Sequence, residues 1–105
     1  MPKKIIWSTL SEKDFSGIMS YLNKKWDAKV SKRFIDIIEE ILEQISLNPK
    51  QFPLINKKRK VRKCVITKHN TLFYQDRKEY ISILRIYDTR QDPEKLKFDL
   101  KNDSS

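Results

Sequence analysis

Cysteine, histidine and glycine occur once each in this 105-residue chain, and each scarcity removes a class of function. A lone Cys64 permits no disulfide within the chain and no thiolate metal cluster, so a reducing compartment is expected. The single imidazole, His69, has no second histidine or nearby cysteine at metal-ligand spacing, and neither a metal nor a cofactor is expected. With only Gly17, the chain holds no glycine-rich phosphate loop, no nucleophile elbow and no Asn-Gly hairpin turn. Long apolar runs are missing too: nothing approaches the roughly 20 residues of a membrane span. The N-terminus follows Met1 to Lys4 with only Ile5, Ile6 and Trp7 in place of a signal-peptide core. The expectation is a soluble, cytoplasmic protein with no membrane partner.

Positive charge is abundant. Twenty-three Lys and Arg stand against fourteen Asp and Glu, a formal charge of +9. Such a balance asks for an anionic partner, whether nucleic acid, acidic protein or lipid surface, and says nothing about the fold. Hydrophobic residues make up 38% of the chain, enough for the core of one domain of this length. A single domain over residues 1–100 is expected, with residues 101–105 as a polar tail.

Lys4 to Ser8 is a short β-prone run. Thr9 followed by Glu12 has the spacing of a capping box, which predicts a helix from Leu10 to about Lys25 with Phe15, Ile18, Met19, Leu22 and Trp26 as its apolar stripe. Gly17 falls opposite the stripe, at a surface position. Asp27 is placed to cap a second helix, whose stripe runs through Val30, Phe34, Ile37, Ile38, Ile41 and Ile45 until Pro49 ends it. After a loop from Pro49 to Asn56 the period changes, and Val61–Thr67, Thr71–Gln75 and Tyr80–Tyr87 read as three antiparallel strands. In the last of these, alternation puts Ile81, Ile83 and Tyr87 on one side and Leu84 and Ile86 on the other. The fold expected is α+β: an N-terminal strand, a helical hairpin, then a three-stranded antiparallel sheet with helices on one face and a cationic opposite face.

Lys57 to Lys63 contains six cations in seven residues. That density suits phosphate or an acidic partner, with Lys60, Arg62 and Lys63 as candidate contacts; the same run also suits a charged edge strand protected from aggregation. His69, beside Lys68 in a turn and near Arg62 and Tyr74, belongs to the one residue type here whose unperturbed pKa lies near neutrality, so it is either a general acid–base group or an ordinary turn histidine. Arg85 and Arg90 lie in and after the last strand. Arg90 is placed either to hold a phosphate together with Arg62 or to pair with Asp88 or Asp92.

The order of these elements, together with Ile6-Trp7-Ser8, Asp14, Tyr21-Leu22, Trp26, Asn48-Pro49, Phe52-Pro53, Val61-Arg62-Lys63, Leu72-Phe73-Tyr74, Ile83-Leu84-Arg85-Ile86 and Asp88-Thr89-Arg90-Gln91-Asp92-Pro93, resembles the ParE/RelE toxin superfamily over about Lys4 to Leu96. The resemblance implies the toxin of a type II toxin–antitoxin system, of the kind tied to plasmid stabilisation, with an antitoxin that wraps over it in a hetero-oligomer. RelE-like members are mRNA interferases acting in the ribosome through basic residues of the central strands and an arginine after the last strand. On that pattern Arg62 and Arg90 would stabilise phosphorane charge, and His69 or Tyr74 would move a proton. Cys64 and Thr71 stand where that branch carries further cations, and Leu96 stands in place of a C-terminal tyrosine. ParE-like members, associated with DNA gyrase inhibition and without a catalytic centre, resemble the chain better through the Trp-containing first helix. On that reading Lys60, Arg62, Lys63, Lys68, Arg85 and Arg90 are the target contacts. A plain nucleic-acid-binding module is the third expectation.

Overall fold

The computed structural model describes residues 2–89. Arg90, Asp92, Leu96 and the 101–105 tail lie outside the described residues. The elements run β1 (Lys4–Trp7), α1 (Thr9–Lys25), α2 (Ala28–Leu47), β2 (Leu54–Asn56), β3 (Val61–Val65), β4 (Asn70–Asp76) and β5 (Tyr80–Asp88). They build one five-stranded sheet in the order β1-β5-β4-β3-β2. Only β1 is parallel to its neighbour, with Lys4 opposite Tyr80 and Trp7 opposite Ile83. The expected α+β arrangement is therefore present, with the expected N-terminal strand at one edge and an added strand, β2, at the other.

Helix α1 starts one residue earlier than the Thr9/Glu12 spacing suggests. Ser8 is the N-cap: its hydroxyl oxygen accepts from Ser11 N at 3.0 Å and donates to Leu84 O at 2.8 Å. The same serine thus ends β1, caps α1 and ties both to β5, which Thr9 is not positioned to do. Ile18 and Leu22 are buried, while Trp26 at the helix C-terminus is 55% exposed and leaves the expected stripe. Gly17 is exposed, with open space where a Cβ would sit. Gly17→Ala should stabilise the fold by about 1 kcal/mol through helix propensity, read as a rise in the urea midpoint at constant slope.

Asp27 caps α2, its carboxylate accepting from Lys29 N and Val30 N at 3.1 and 3.2 Å. Phe34, Ile38 and Ile45 bury the stripe against the sheet, whereas Val30 at the first turn stays 36% exposed. Phe15 of α1 stacks on Phe34 of α2 with ring centroids 6.2 Å apart, and Ser31 donates to Asn23 Oδ1. The two helices are held as a hairpin against one face of the sheet. They cover Cys64, Leu72, Tyr74, Ile81, Ile83 and Ile86, the sheet's contribution to the main core.

Two features of the sheet depart from simple alternation. Residues 54–56, expected as loop, form a short edge strand: Leu54 lies opposite Arg62, and Lys63 N donates to Pro53 O at 3.0 Å. In β5 the register shifts, with Phe73 opposite Arg85 but Tyr74 opposite Ile83, so Leu84 is the extra residue of a β-bulge. The bulge resets the phase of the strand. Ile81, Ile83 and Ile86 face the helices, while Leu84 and Tyr87 join Val61 and Phe73 in a second cluster on the other face. Tyr87 and Ile86 have therefore exchanged the sides that strict alternation assigns them. That other face is aromatic and apolar at its centre, with Lys63 exposed on it, and is not the expected cationic surface.

Cys64 is 1% exposed beneath the helices, and burial pushes its thiol up from 9.0 to about 11. The neutral thiol is favoured in the fold, so this contribution to stability is intact below pH 9 and is lost as pH rises toward 11. A thiol-specific disulfide reagent at pH 8 should react with Cys64 at the rate of unfolding, and addition of denaturant should release a fast phase.

Candidate functional site

In an antiparallel meander alternate turns fall at the same end of the sheet. The β2–β3 turn at 57–60 and the β4–β5 turn at 77–79 are therefore neighbours, and β1 enters the sheet beside them because Lys4 pairs with Tyr80. The C-terminus of α2 reaches the same end, where Lys3 N donates to Ser46 O at 3.0 Å and Ser46 Oγ donates back to Lys3 O at 2.6 Å. Cations from four separated stretches converge here. An open cleft of about 670 Å³ is lined by Lys3, Lys50, Lys57, Lys60, Arg62, Arg77 and Lys78, with Asp76 and Leu54 completing the wall. A second cleft of about 430 Å³ shares Lys60, Arg77 and Lys78 and adds Lys58 and Arg59. Asp76 is already engaged, its Oδ1 2.6 Å from Lys3 Nζ, which also donates to Arg77 O at 2.7 Å.

The loops that carry these charges are held from below by Gln75, which is 8% exposed. Its Nε2 donates to Arg59 O at 2.9 Å, and its Oε1 accepts from Arg77 Nη2 at 3.2 Å. One buried amide thus fastens both turns. Asn56 Oδ1 accepts from Arg59 N at 2.9 Å, and Lys60 sits at φ 58°, a left-handed conformation that a lysine adopts only at a cost.

The expected site residues are distributed as follows. Arg62 lies on the helix side of β3 at the cleft wall, and its Nη1 donates to Phe52 O at 2.7 Å and Lys50 O at 3.2 Å. Tyr74 is its cross-strand partner, fully buried, with its hydroxyl donating to Pro49 O at 2.7 Å and its ring edge-on to Phe52. Burial pushes the Tyr74 phenol well above its ordinary range, against the pull of the Arg62 charge. Arg62 and Tyr74 are thus brought together, and both pin the Pro49–Pro53 loop. His69 is not brought to them. It lies in the β3–β4 turn at the opposite end of the sheet, five residues along β4 from Tyr74, about 16 Å at strand rise. It lines a shallow pocket with Leu22, Val30 and Phe34 near the helix-hairpin tip. Lys68 is exposed in that same turn.

Lys60 belongs to the cationic end, whereas Lys63 points from the far face of β3. Arg85 is engaged elsewhere: its Nε and Nη2 donate to the two carboxylate oxygens of Asp14 at 2.8 and 3.0 Å, and its guanidinium lies 4.7 Å from the Tyr87 ring centre. Asp14 also accepts from Ile86 N at 3.0 Å, so α1 is locked to β5 just beyond the end of β1. Sequence reasoning missed Lys3, Lys50, Gln75, Arg77 and Lys78. The signal was the Arg77-Lys78 turn, since a three-strand meander puts it on the same end as Lys57–Lys60. Among the described residues no group of three or more His, Cys, Asp and Glu side chains could hold a metal, and no helix is long and apolar enough to cross a membrane.

Comparison with known proteins agrees with this architecture. The chain superposes on a chain of the chromosomal ParDE TA system from P. aeruginosa with a TM-score of 0.69 at 15% identity, covering 82% of this chain and 95% of that one. A YoeB/ParE toxin from Agrobacterium tumefaciens gives 0.58 at 15% identity over 81% and 96%. A chain of the E. coli DinJ–YafQ toxin–antitoxin complex gives 0.58 at 12% identity over 86% and 96%. At such identities these likenesses show the fold alone. No curated protein matches the sequence significantly. The model for the ParE toxin of type II toxin–antitoxin systems matches residues 5–93, nearly the whole chain. The chain belongs to the ParE toxin family, within the ParE/RelE superfamily of type II toxin–antitoxin toxins.

Proposed function

We propose that the protein is a ParE-like inhibitor of DNA gyrase, a binding toxin without a proton-transfer centre, neutralised by a cognate antitoxin. The observation that carries this reading is that neither candidate proton-moving group is open to the cationic end, one being buried and engaged beside it and the other lying far from it. Tyr74 gives its hydroxyl hydrogen to Pro49 O from a fully buried position, and His69 sits at the other end of the sheet. A phosphate held among Lys57–Lys60 and Arg77 would meet charge but no general base from either residue. An antitoxin partner is supported by the similar structures, which include a ParDE system and a toxin–antitoxin complex. Large apolar side chains open on the surface, Trp26 and Val65 among them, offer area for such a partner.

A RelE-like ribosome-dependent mRNA endonuclease is the second reading, favoured by one observation: the Arg62 guanidinium lines the cleft, where it would neutralise a phosphate. The two readings separate cleanly in vitro. Purified toxin added to gyrase and relaxed plasmid should block supercoiling, while translating ribosomes keep their mRNA intact. Codon-position cuts lost in Arg62→Ala, with supercoiling unaffected, would establish the nuclease instead.

A further inference from the structure

The cationic end has more construction than a solvated charge run requires. Among the described residues, nine lysines and arginines line the two clefts against one carboxylate, Asp76, which Lys3 already neutralises. Glu79 follows in the same turn but lines neither cleft. Lysines gathered by chance repel and splay; these are carried on two turns fastened to one buried glutamine amide, with Lys60 held in an unfavourable backbone conformation.

The lining also says which anion fits. Among the described residues, Leu54 is the only apolar side chain on either cleft and no aromatic ring lines them. An acidic polypeptide gains most of its binding energy from buried apolar and aromatic anchors, and single-stranded nucleic acid from bases stacked on aromatic side chains. Neither has purchase here. A regular array of phosphates needs only fixed cations and released counterions.

We propose that the turns 57–60 and 77–78, with Lys3 and Lys50 behind them, form a clamp for the phosphate backbone of a nucleic-acid duplex, read without regard to sequence. The inference deepens the gyrase reading by supplying the toxin's own hold on duplex DNA, and it rests on that reading only for the choice of DNA over RNA.

The experiment is titration of full-length toxin, freed of antitoxin, into fluorescently labelled 20-base-pair DNA, the matching RNA duplex and the single strand, across about 50 to 200 mM salt. Duplex affinity should fall steeply with salt and exceed that for the single strand. The double variant K58Q/K78Q, one exposed cation from each turn, should lower the slope of log affinity against log salt by about 2, since each phosphate contact contributes about 0.9. The remote variant K13Q/K24Q on α1 should leave the slope unchanged, and circular dichroism of both should match the parent. Tighter binding of the DNA than of the RNA duplex assigns the clamp to DNA, and the reverse assigns it to RNA. A flat salt response, equal loss in K13Q/K24Q, preference for the single strand, or more effective competition by polyglutamate than by unlabelled duplex overturns the clamp. Running the supercoiling assay on the same proteins keeps the two ideas apart. Duplex binding without gyrase inhibition removes the gyrase reading alone, whereas gyrase inhibition without duplex binding removes the clamp alone.

Discussion

Asp14→Ala should lower the unfolding free energy by about 3 kcal/mol, among the largest effects of any surface-proximal substitution in the chain. The carboxylate and Arg85 are each about 15% exposed, 15% for Arg85 and 16% for Asp14, and they meet through two short hydrogen bonds. Removing the acid leaves a guanidinium largely out of water without its counter-charge, and leaves Ile86 N–H without the carboxylate oxygen at 3.0 Å. The position matters because β1 pairs with β5 only as far as Ile83, and beyond it the edge is continued by the Ser8 hydroxyl, which donates to Leu84 O, and the Asp14 carboxylate, which accepts from Ile86 N. The Leu84 bulge turns Arg85 toward α1 at that point. Asp14→Asn, which keeps an oxygen for Ile86 N–H, should cost about half as much. Thermal unfolding followed by circular dichroism reads both, with a fall in Tm of roughly 15 °C expected for the alanine variant. A shift below a few degrees would mean that the pair is not structural.

Ile83→Ala should cost about 4 kcal/mol. Ile83 is wholly buried, lies between Trp7 of β1 and Tyr74 of β4, and joins the parallel edge to the antiparallel centre of the sheet. The cavity would open beneath both helices, where neither strand can close it without losing pairing. Val65→Ala, also in a strand but 61% exposed, supplies the contrast and should change stability by no more than about 0.5 kcal/mol. Denaturant titration of the two variants side by side tests whether the helix-covered face is the core.

These two residues illustrate how much of the molecule could be read in advance. Ile83 was legible because a buried β-branched run bounded by polar turns signals a strand whatever its neighbours are. Helix α2 was legible for the same kind of reason, since Asp27, the 3.6-residue stripe and Pro49 agree on its start, face and end. Asp14 was visible only as part of a family pattern, because its partner is 71 residues away and no local period marks a tertiary ion pair. The bulge at Leu84 was invisible to alternation, which has no means of counting an inserted residue, and so Tyr87 and Ile86 were assigned to the wrong faces. Strand β2 was hidden by its length of three residues after Pro53 and by its dependence on β3 for every hydrogen bond.

The site shows the same division between local and assembled information. The Lys57–Lys63 run announced an anion-binding segment, but the chain splits it: Lys57–Lys60 stay in the turn, Arg62 turns inward to the Pro49–Pro53 loop, and Lys63 faces the other side. The partners of that turn, Arg77 and Lys78, look in sequence like an ordinary polar hairpin connection. Only the strand order brings them beside it. His69 and Tyr74 are both near Arg62 in sequence; the hairpin pairs Tyr74 with Arg62 but buries it under Phe52, and it sends His69 to the far end. Proximity along the chain was a poor guide once a strand lay between the groups.

We propose that toxicity is carried by charge at one end of the sheet, and not by proton transfer at His69 or Tyr74. The most direct measurement is growth arrest with parallel supercoiling and mRNA-integrity assays for two toxins, H69A/Y74F and K58Q/K78Q, expressed without antitoxin. The first should arrest growth and block gyrase as strongly as the parent, despite a loss of about 1–2 kcal/mol in stability from the vacated Pro49 carbonyl. The second should lose most of its potency while folding normally. Intact potency in K58Q/K78Q together with abolished mRNA cutting and abolished toxicity in H69A/Y74F would contradict the account outright.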